Sequence, residues 1–383
     1  MANTLTGIIP TLFEALNTVS REMVGFIPAV KRDAQASRAA LNQVVRVPIG
    51  ESGDLEDVTP GANPANSGDT TVGYADVKIT KSKVAPVRWN GEEQKAVGAT
   101  GMYNKILADQ FTDAMRKLVN AVEVDLATEA LIKSSRAYGT AGTAPFGTAN
   151  DLSDIAQLRK ILDDNGTPST DLQLVLSSAA MANMRGVQTI LLKANESGTD
   201  KFLRTGFTDP IQGFAIRNSA GIRLHTKGTG ANYVTNLAAA LAAGDVTIAL
   251  DTGTGTILAG DVVTFADDAN KYIVGTGIAS AGSIVLNNPG LRAALADGKA
   301  LTVGNSYTPC FGFDRNALIL AARAPAVPDG GDAADDAMIL TDPISGISFE
   351  VRVYRQYRQV KYEVGLAWGV SGIKSESIAT LLG

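Results

Sequence analysis

Cysteine and histidine are almost missing from this chain of 383 residues, which has one of each. A single Cys310 excludes an intrachain disulfide framework and fits a reducing compartment. Its neighbours Phe311 and Phe313 assign it to the core as a small apolar side chain. One Cys and one His cannot close a structural zinc site, and no metal or other cofactor is expected. His225 has no Gly-x-Ser-x-Gly elbow in the chain to serve and no triad context, so it reads as a structural or surface histidine. The first twenty residues hold no lysine or arginine, so no charged signal-peptide start is expected. The longest apolar run, Leu237 to Ala243, is too short to cross a bilayer and is closed by Asp245. Positive charge is also in deficit: a formal net charge of -5 argues against a protein whose main task is to grip nucleic acid through a basic face.

Phosphate-binding motifs fail on spacing. In GTGTILAGDVVTF, Gly253 and Gly255 are followed by Gly260, too late for a dinucleotide fingerprint. The one Gly-Lys pair, Gly298-Lys299, continues into Ala300 and so cannot be a P-loop. The same spacing recurs at Gly275, Gly277 and Gly282 among alternating β-branched residues, which points to β-hairpins. Asp329, Asp332, Asp335 and Asp336 lack the spacing of a calcium loop and read as a solvated loop.

What is present is periodicity. Residues 8–24 place Ile8, Leu12, Phe13, Leu16, Val19 and Met23 at helical spacing. VVRVPIG and GYADVKITKSKVAPVRW read as two strands of a long hairpin, joined by some twenty residues rich in Gly, Pro, Asn, Ser and acid. Such a hairpin has no core of its own, and an isolated pair of strands is marginal in water. The returning strand gathers Lys78, Lys81, Lys83 and Arg88, and the connection holds Glu51, Asp54, Glu56 and Asp57. Solvated surface charge is one reading; the other is an arm laid on a neighbouring subunit by complementary charge.

Residues 104–134 contain no Gly or Pro and carry Leu107, Phe111, Met115, Leu118, Val122 and Leu126 on one stripe, which predicts one long helix packed on a sheet. Asp113 with Lys117 and Glu129 with Lys133 are spaced as helical ion pairs. From about residue 150 helices and strands alternate: a helix over 151–166, a buried strand over 172–178, a helix over 179–195 and two short strands over 213–225. Residues 228–307 change texture to short alternating runs with frequent turn signals, as in a small β-barrel or sandwich, and read as an insertion. GISFEVRVYRQYRQVKYEVGLAWGV closes the chain as an alternating hairpin.

The order and wording of these segments resemble the major capsid proteins of tailed bacteriophages, in the branch like the coat protein of phage P22. IIPTLFEALNTVSREMVGFIPAVKRD with VVRVPIG, GFAIRNSAGIRLHTKGTG before the insertion, FDRNALILAAR after it, and the closing hairpin carry the resemblance, in that succession over most of the chain. It implies an α+β architecture of the HK97 type. Residues 1–43 would be an N-terminal arm, 44–90 the extended loop, 91–149 a peripheral domain with the spine helix, 150–227 with 308–383 an axial domain and returning strands, and 228–307 an inserted β-barrel-like domain. It further implies self-assembly, as hexamers and pentamers, into an icosahedral virion shell made in the bacterial cytoplasm. The implied partners are a scaffolding protein, a portal and double-stranded DNA held without sequence-specific contacts; no membrane and no catalysis enter. Glu51, Asp54, Glu56, Asp57, Lys78, Lys81, Lys83 and Arg88 would be inter-subunit contacts. A tail-tube subunit is the alternative within phage structural proteins, and a carbohydrate- or nucleotide-processing enzyme the alternative outside them.

Overall fold

A computed structural model of the chain describes residues 8–22, 25–33, 37–50, 72–98, 102–188, 191, 210–342 and 346–383. The first helix, α1 (Ile9–Glu22), buries Leu12, Leu16 and Val19 along one stripe. A 3₁₀ turn (Ile27–Ala29) leads to β1 (Lys31–Asp33), then to β2 (Val44–Gly50) and β3 (Val72–Lys78). β2 and β3 pair antiparallel from Val44 opposite Lys78 to Gly50 opposite Val72.

The stretch expected as one returning strand is two. At residues 79 and 80 the backbone changes partners: Ile79 N–H donates to Gln43 O at 2.9 Å, and Thr80 N–H to Trp368 O at 3.1 Å. β4 (Lys81–Asn90) therefore belongs to a different sheet from β3. The short α2 (Gly91–Gly98) starts with a reciprocal cap in which Glu93 N–H donates to Asn90 Oδ1 at 2.7 Å and Asn90 N–H to Glu93 Oε2 at 3.1 Å.

α3 (Tyr103–Lys133) runs 31 residues, about 46 Å at 1.5 Å per residue. It packs along its apolar stripe on a sheet and on α1. Lys117 pairs with Asp113 at 2.7 Å. Glu129 serves tertiary structure, its Oε1 accepting from Gly372 N–H at 3.0 Å.

Next come β5 (Arg136–Gly139), α4 (Ser153–Asp164), β6 (Leu172–Leu176), α5 (Ser178–Gly186) and β7 (Phe214–Asn218). α5 ends earlier than its apolar spacing indicated, at Gly186, and residues 189, 190 and 192–195 of the expected helix lie outside the described residues. Of the two strands expected over 213–225, the second is reduced to one bridge, His225 to Tyr307. The chain there is turned against α3: a Cβ on Gly221 would lie 2.9 Å from the Glu123 carbonyl carbon.

β8 (Tyr233–Thr235), β9 (Thr247–Asp251), β10 (Val262–Phe265), β11 (Lys271–Thr276), β12 (Gly282–Leu286) and β13 (Ala300–Val303) follow. Their antiparallel pairings form a closed circuit in the order β10-β13-β8-β9-β12-β11, with β11 returning to β10. Tyr233, Ile248, Leu250, Val263, Phe265, Val274, Ile284 and Leu301 fill it. GTGTILAG is not a hairpin turn here, because β9 and β10 do not pair with each other. It is a crossover that runs under Tyr233, where a Cβ on Gly253 would meet the ring at 2.2 Å. The second copy of the pattern is a true hairpin, β11 with β12. Among the described residues this circuit is hydrogen-bonded to the rest of the chain: Lys271 and Tyr272 of β11 pair with Ala137 and Arg136 of β5.

The chain ends with β14 (Pro309–Asp314), β15 (Leu318–Arg323), β16 (Asp336–Thr341), β17 (Ser348–Gln356), β18 (Gln359–Gly372) and β19 (Ile378–Leu382). β5, β19, β14, β6 and β7 continue the β11 edge as one sheet. The other large sheet is organised by β18, which is 14 residues long. β4 lines one edge over Gln359–Trp368, while β17 and then β15 share the other. α3 covers this sheet, burying Phe349, Val351, Tyr362, Val364, Leu366 and Trp368 beneath it.

Candidate functional site

The β2–β3 hairpin is the one two-stranded sheet among the described residues. It is seated only at its base, where Ala39, Val45, Val77 and Ile79 pack on Ile319, Ala321 and Ala367 of β15 and β18. The seat exists because β18 has no side chain at one position: a Cβ on Gly369 would lie 2.0 Å from Lys78 O. Beyond the seat Val47 still packs partly against that cluster, and among the described residues the two strands otherwise have each other. Tyr74 is 59% exposed, and Val44, at the base, 45%. Arg46 lies over the Tyr74 ring at 4.4 Å and reaches Asp76 at 3.4 Å. These contacts stiffen the ladder locally without burying it.

Of the charged residues singled out in the sequence, Glu51, Asp54, Glu56 and Asp57 lie outside the described residues. The four cations do not form one patch. Lys78 is exposed at the hairpin base. Lys81 is engaged inside the subunit, its Nζ 2.6 Å from Asp125 Oδ1, while Asp125 Oδ2 accepts from Trp368 Nε1 at 2.8 Å. Lys83 lies on the same face of β4 as Lys81, and the period of two puts Arg88 on the opposite face. Lys78, Lys83 and Arg88 are exposed.

Sequence reading missed two features. Glu123, in the middle of α3, is 7% exposed and accepts from Phe26 N–H at 2.9 Å, Ile27 N–H at 2.8 Å and Ser219 Oγ–H at 2.6 Å. It ties the N-terminal segment, the long helix and the end of β7 together. An acid at a stripe-flanking position of an apolar helix was the available signal. Tyr357 is 89% exposed at the tip of the β17–β18 hairpin, between Arg355 and Arg358, and an aromatic at a turn was its signal. Phe13, expected on the apolar stripe of residues 8–24, is instead 47% exposed, because one position past Leu12 lies about 100° further round the helix.

His225 is structural. Its Nε2 lies 2.8 Å from Asp261 Oδ1, and the same carboxylate accepts from Gly228 N–H at 3.0 Å and Leu258 N–H at 2.8 Å. Tyr307 packs beside His225 and donates to Gly260 O at 2.7 Å; burial, reinforced by the Asp261 charge, pushes its phenol well above the ordinary range. Among the described residues no group of three or more His, Cys, Asp or Glu is placed to hold a metal ion.

Cys310 is fully buried, with its sulfur 3.3 Å from Ser177 N. Burial pushes the thiol up against the opposing pull of the Ser177 hydrogen bonds. Thiolate is therefore scarcer than for a free cysteine at neutral pH. Iodoacetamide is expected to leave the folded chain unlabelled and to alkylate one site in denaturant; labelling of the native chain at the rate of a free thiol would contradict this placement.

No protein-family model matches the chain, and no curated protein matches it in sequence. Its fold is similar to solved structures at low identity. One is from Mycobacterium phage Che8, at 13% identity and TM-score 0.47, covering 94% of this chain and 91% of that one. A second is the capsid structure of the Cyanophage P-SCSP1u, at 10% identity and TM-score 0.49, covering 94% and 88%. A third is a virus-like particle from Pyrococcus furiosus, at 10% identity and TM-score 0.44, covering 97% and 98%.

Proposed function

We propose that this chain is the major capsid protein of a tailed bacteriophage, a structural subunit that assembles with copies of itself into a closed icosahedral shell around double-stranded DNA. The observation that carries the reading is the β2–β3 hairpin: a ladder anchored at one end, with Tyr74 and Val44 exposed on it and, among the described residues, no surface of its own subunit that buries them. A chain that leaves such an arm open gains stability by laying it on a neighbour. Many ordinary-sized contacts, repeated by symmetry, would hold the shell.

The finer assignments belong to the same reading. They are the HK97-type fold in the branch like the P22 coat protein, hexamers and pentamers as building units, a scaffolding protein and portal as partners, and the virion as location. Residues 228–307 are read as an inserted domain. Lys78, Lys83 and Arg88, with Glu51, Asp54, Glu56 and Asp57, are read as inter-subunit contacts, and Lys81 as an internal brace for Asp125. Chemistry plays no part in this role, and His225 serves the joint between the closed strand circuit and the rest of the chain.

Electron microscopy of the chain co-expressed with its scaffold tests the proposal. Closed shells are the expected result. Open tubes or rings would favour the tail-tube alternative, and monomers under every condition would reject assembly altogether.

A further inference from the structure

Three elements bring four cations to one cleft. α3 presents Lys117, Asn120, Ala121 and Val124, spaced i, i+3, i+4 and i+7 on one helical face. β4 adds Lys81 and Lys83, two residues apart and so on one face of the strand. The turn that follows β7 adds Ala220, Gly221 and Arg223. The cleft they line holds about 510 Å³, and Asp125 is the one acid on its wall. Lys81 satisfies Asp125, and Lys117 reaches Asp113 at 2.7 Å outside the cleft. Lys83 and Arg223 make no ion pair or side-chain hydrogen bond with any described residue.

We propose that this cleft is an oxyanion site for phosphate-class anions. A local excess of positive charge in a chain of net charge -5 is a cost unless an anion offsets it. The concave wall raises the field above that of the same charges on a flat surface. The uncommitted Lys83 ammonium and Arg223 guanidinium come from two elements, with Lys81 and Lys117 adding charge beside them, and together suit an anion with three or more acceptor oxygens better than the flat, two-oxygen edge of a carboxylate. Ala121 and Gly221 keep the floor low, and Asn120 places an amide donor at the rim. The volume admits a diphosphate or a phosphodiester with its sugar. The inference does not depend on the shell-forming role.

Calorimetric titration of the full chain with inorganic pyrophosphate at low ionic strength tests it. Binding is expected to weaken roughly tenfold or more in the double variant Lys83→Gln/Arg223→Gln, and to weaken as salt is raised. A control pair on other exposed positions, Lys95→Gln/Lys105→Gln, is expected to bind as the parent does. Thermal melts of both variants should match the parent, because the replaced side chains hold nothing in the fold. A second arm adds a short DNA duplex. Displacement of pyrophosphate by the duplex would identify phosphodiester backbone as the source, and its failure to displace would identify a free phosphate compound. Absence of pyrophosphate binding, equal loss in the control pair, or binding of poly-glutamate that pyrophosphate does not displace would overturn the proposal.

Discussion

Replacing Gly369 with alanine is expected to unseat the β2–β3 hairpin while leaving the sheet beneath it paired. The new Cβ would lie 2.0 Å from Lys78 O and 2.7 Å from Lys78 C. Both are backbone atoms, so no rotamer change relieves the clash. β18 cannot retreat either, because the β15 ladder holds it from Ala367 to Gly372, on both sides of this position, and the β4 ladder holds its other edge up to Trp368. The hairpin base has the weaker attachment, a small cluster built around Val45, Val77 and Ile79. Overpacking of this severity costs about 3 kcal/mol or more if the structure stays put. Lifting the seat instead forfeits about 2 kcal/mol or more of apolar burial. Either way the hairpin loses its fixed direction.

Limited proteolysis should therefore cut the Gly369→Ala variant faster within residues 40–80, while circular dichroism of the remaining sheet stays near the parent. In the shell-forming role, particle yield should fall to background. Gly365→Ala is the comparison. Its Cβ would meet Pro325 Cγ at 3.2 Å and Val84 Cγ1 at 3.4 Å, side-chain atoms that yield by tenths of an ångström, so a loss of about 1 kcal/mol or less is expected there. Equal proteolysis and equal particle yield for parent and Gly369→Ala would mean that the seat does not orient the arm.

Glu123→Ala is expected to be the most destabilising single change in the long helix. The carboxylate accepts from two backbone amides and one hydroxyl, all buried. The two amides open the 3₁₀ turn at Ile27–Ala29, so a negative charge there also meets the positive end of a short run of peptide dipoles. Removing the acceptor leaves those donors sealed from water, at about 1–3 kcal/mol for each, so a total of about 4 kcal/mol is expected. Phe26 is carried by the same turn and packs against Phe311 at 5.7 Å and Phe313 at 6.1 Å between ring centroids. Loss of the anchor should therefore loosen the aromatic cluster as well as the N-terminal segment.

Glu123→Gln keeps one acceptor oxygen but turns an amide donor toward donors, so about half of the full loss is expected. Urea unfolding, with Glu129→Ala as a milder comparison that leaves a single amide without its acceptor, measures both. A change below about 1 kcal/mol for Glu123→Ala would show that water reaches the freed donors.

Much of this was legible along the chain. The stripe from Leu107 to Leu126 predicted a single helix, and Tyr103–Lys133 is one. Alternation in the last 40 residues predicted the β17–β18 hairpin with Ile347, Phe349, Val351 and Val353 on one face, and all four are buried. The alternating runs between residues 245 and 303 became β9 to β13. Cys310 was assigned to the core from two neighbours and lies there. These features depend on period and on residues a few positions apart, which sequence displays directly.

Other features were not legible, and for one reason. The split of residues 73–89 into β3 and β4 turns on hydrogen bonds to Gln43 and Trp368. The crossover at Gly253–Gly260 has the composition of a hairpin turn, and only the ring of Tyr233 above it and the pairing of β9 with β8 and β12 make it something else. Lys81 looked like its neighbours Lys78 and Lys83 until Asp125 claimed it. Glu123 and Gly369 carry no local mark of their weight, since one is an acid in a helix and the other a glycine in a strand. Local periodicity, set by the chain's own geometry and by which side chains avoid water, determined the helices, the strands and their inward faces. Which edges meet, which charges are spent inside the subunit and which arm is left, among the described residues, without a surface to bury it were decided only in three dimensions, because each depends on contacts between residues tens to hundreds of positions apart.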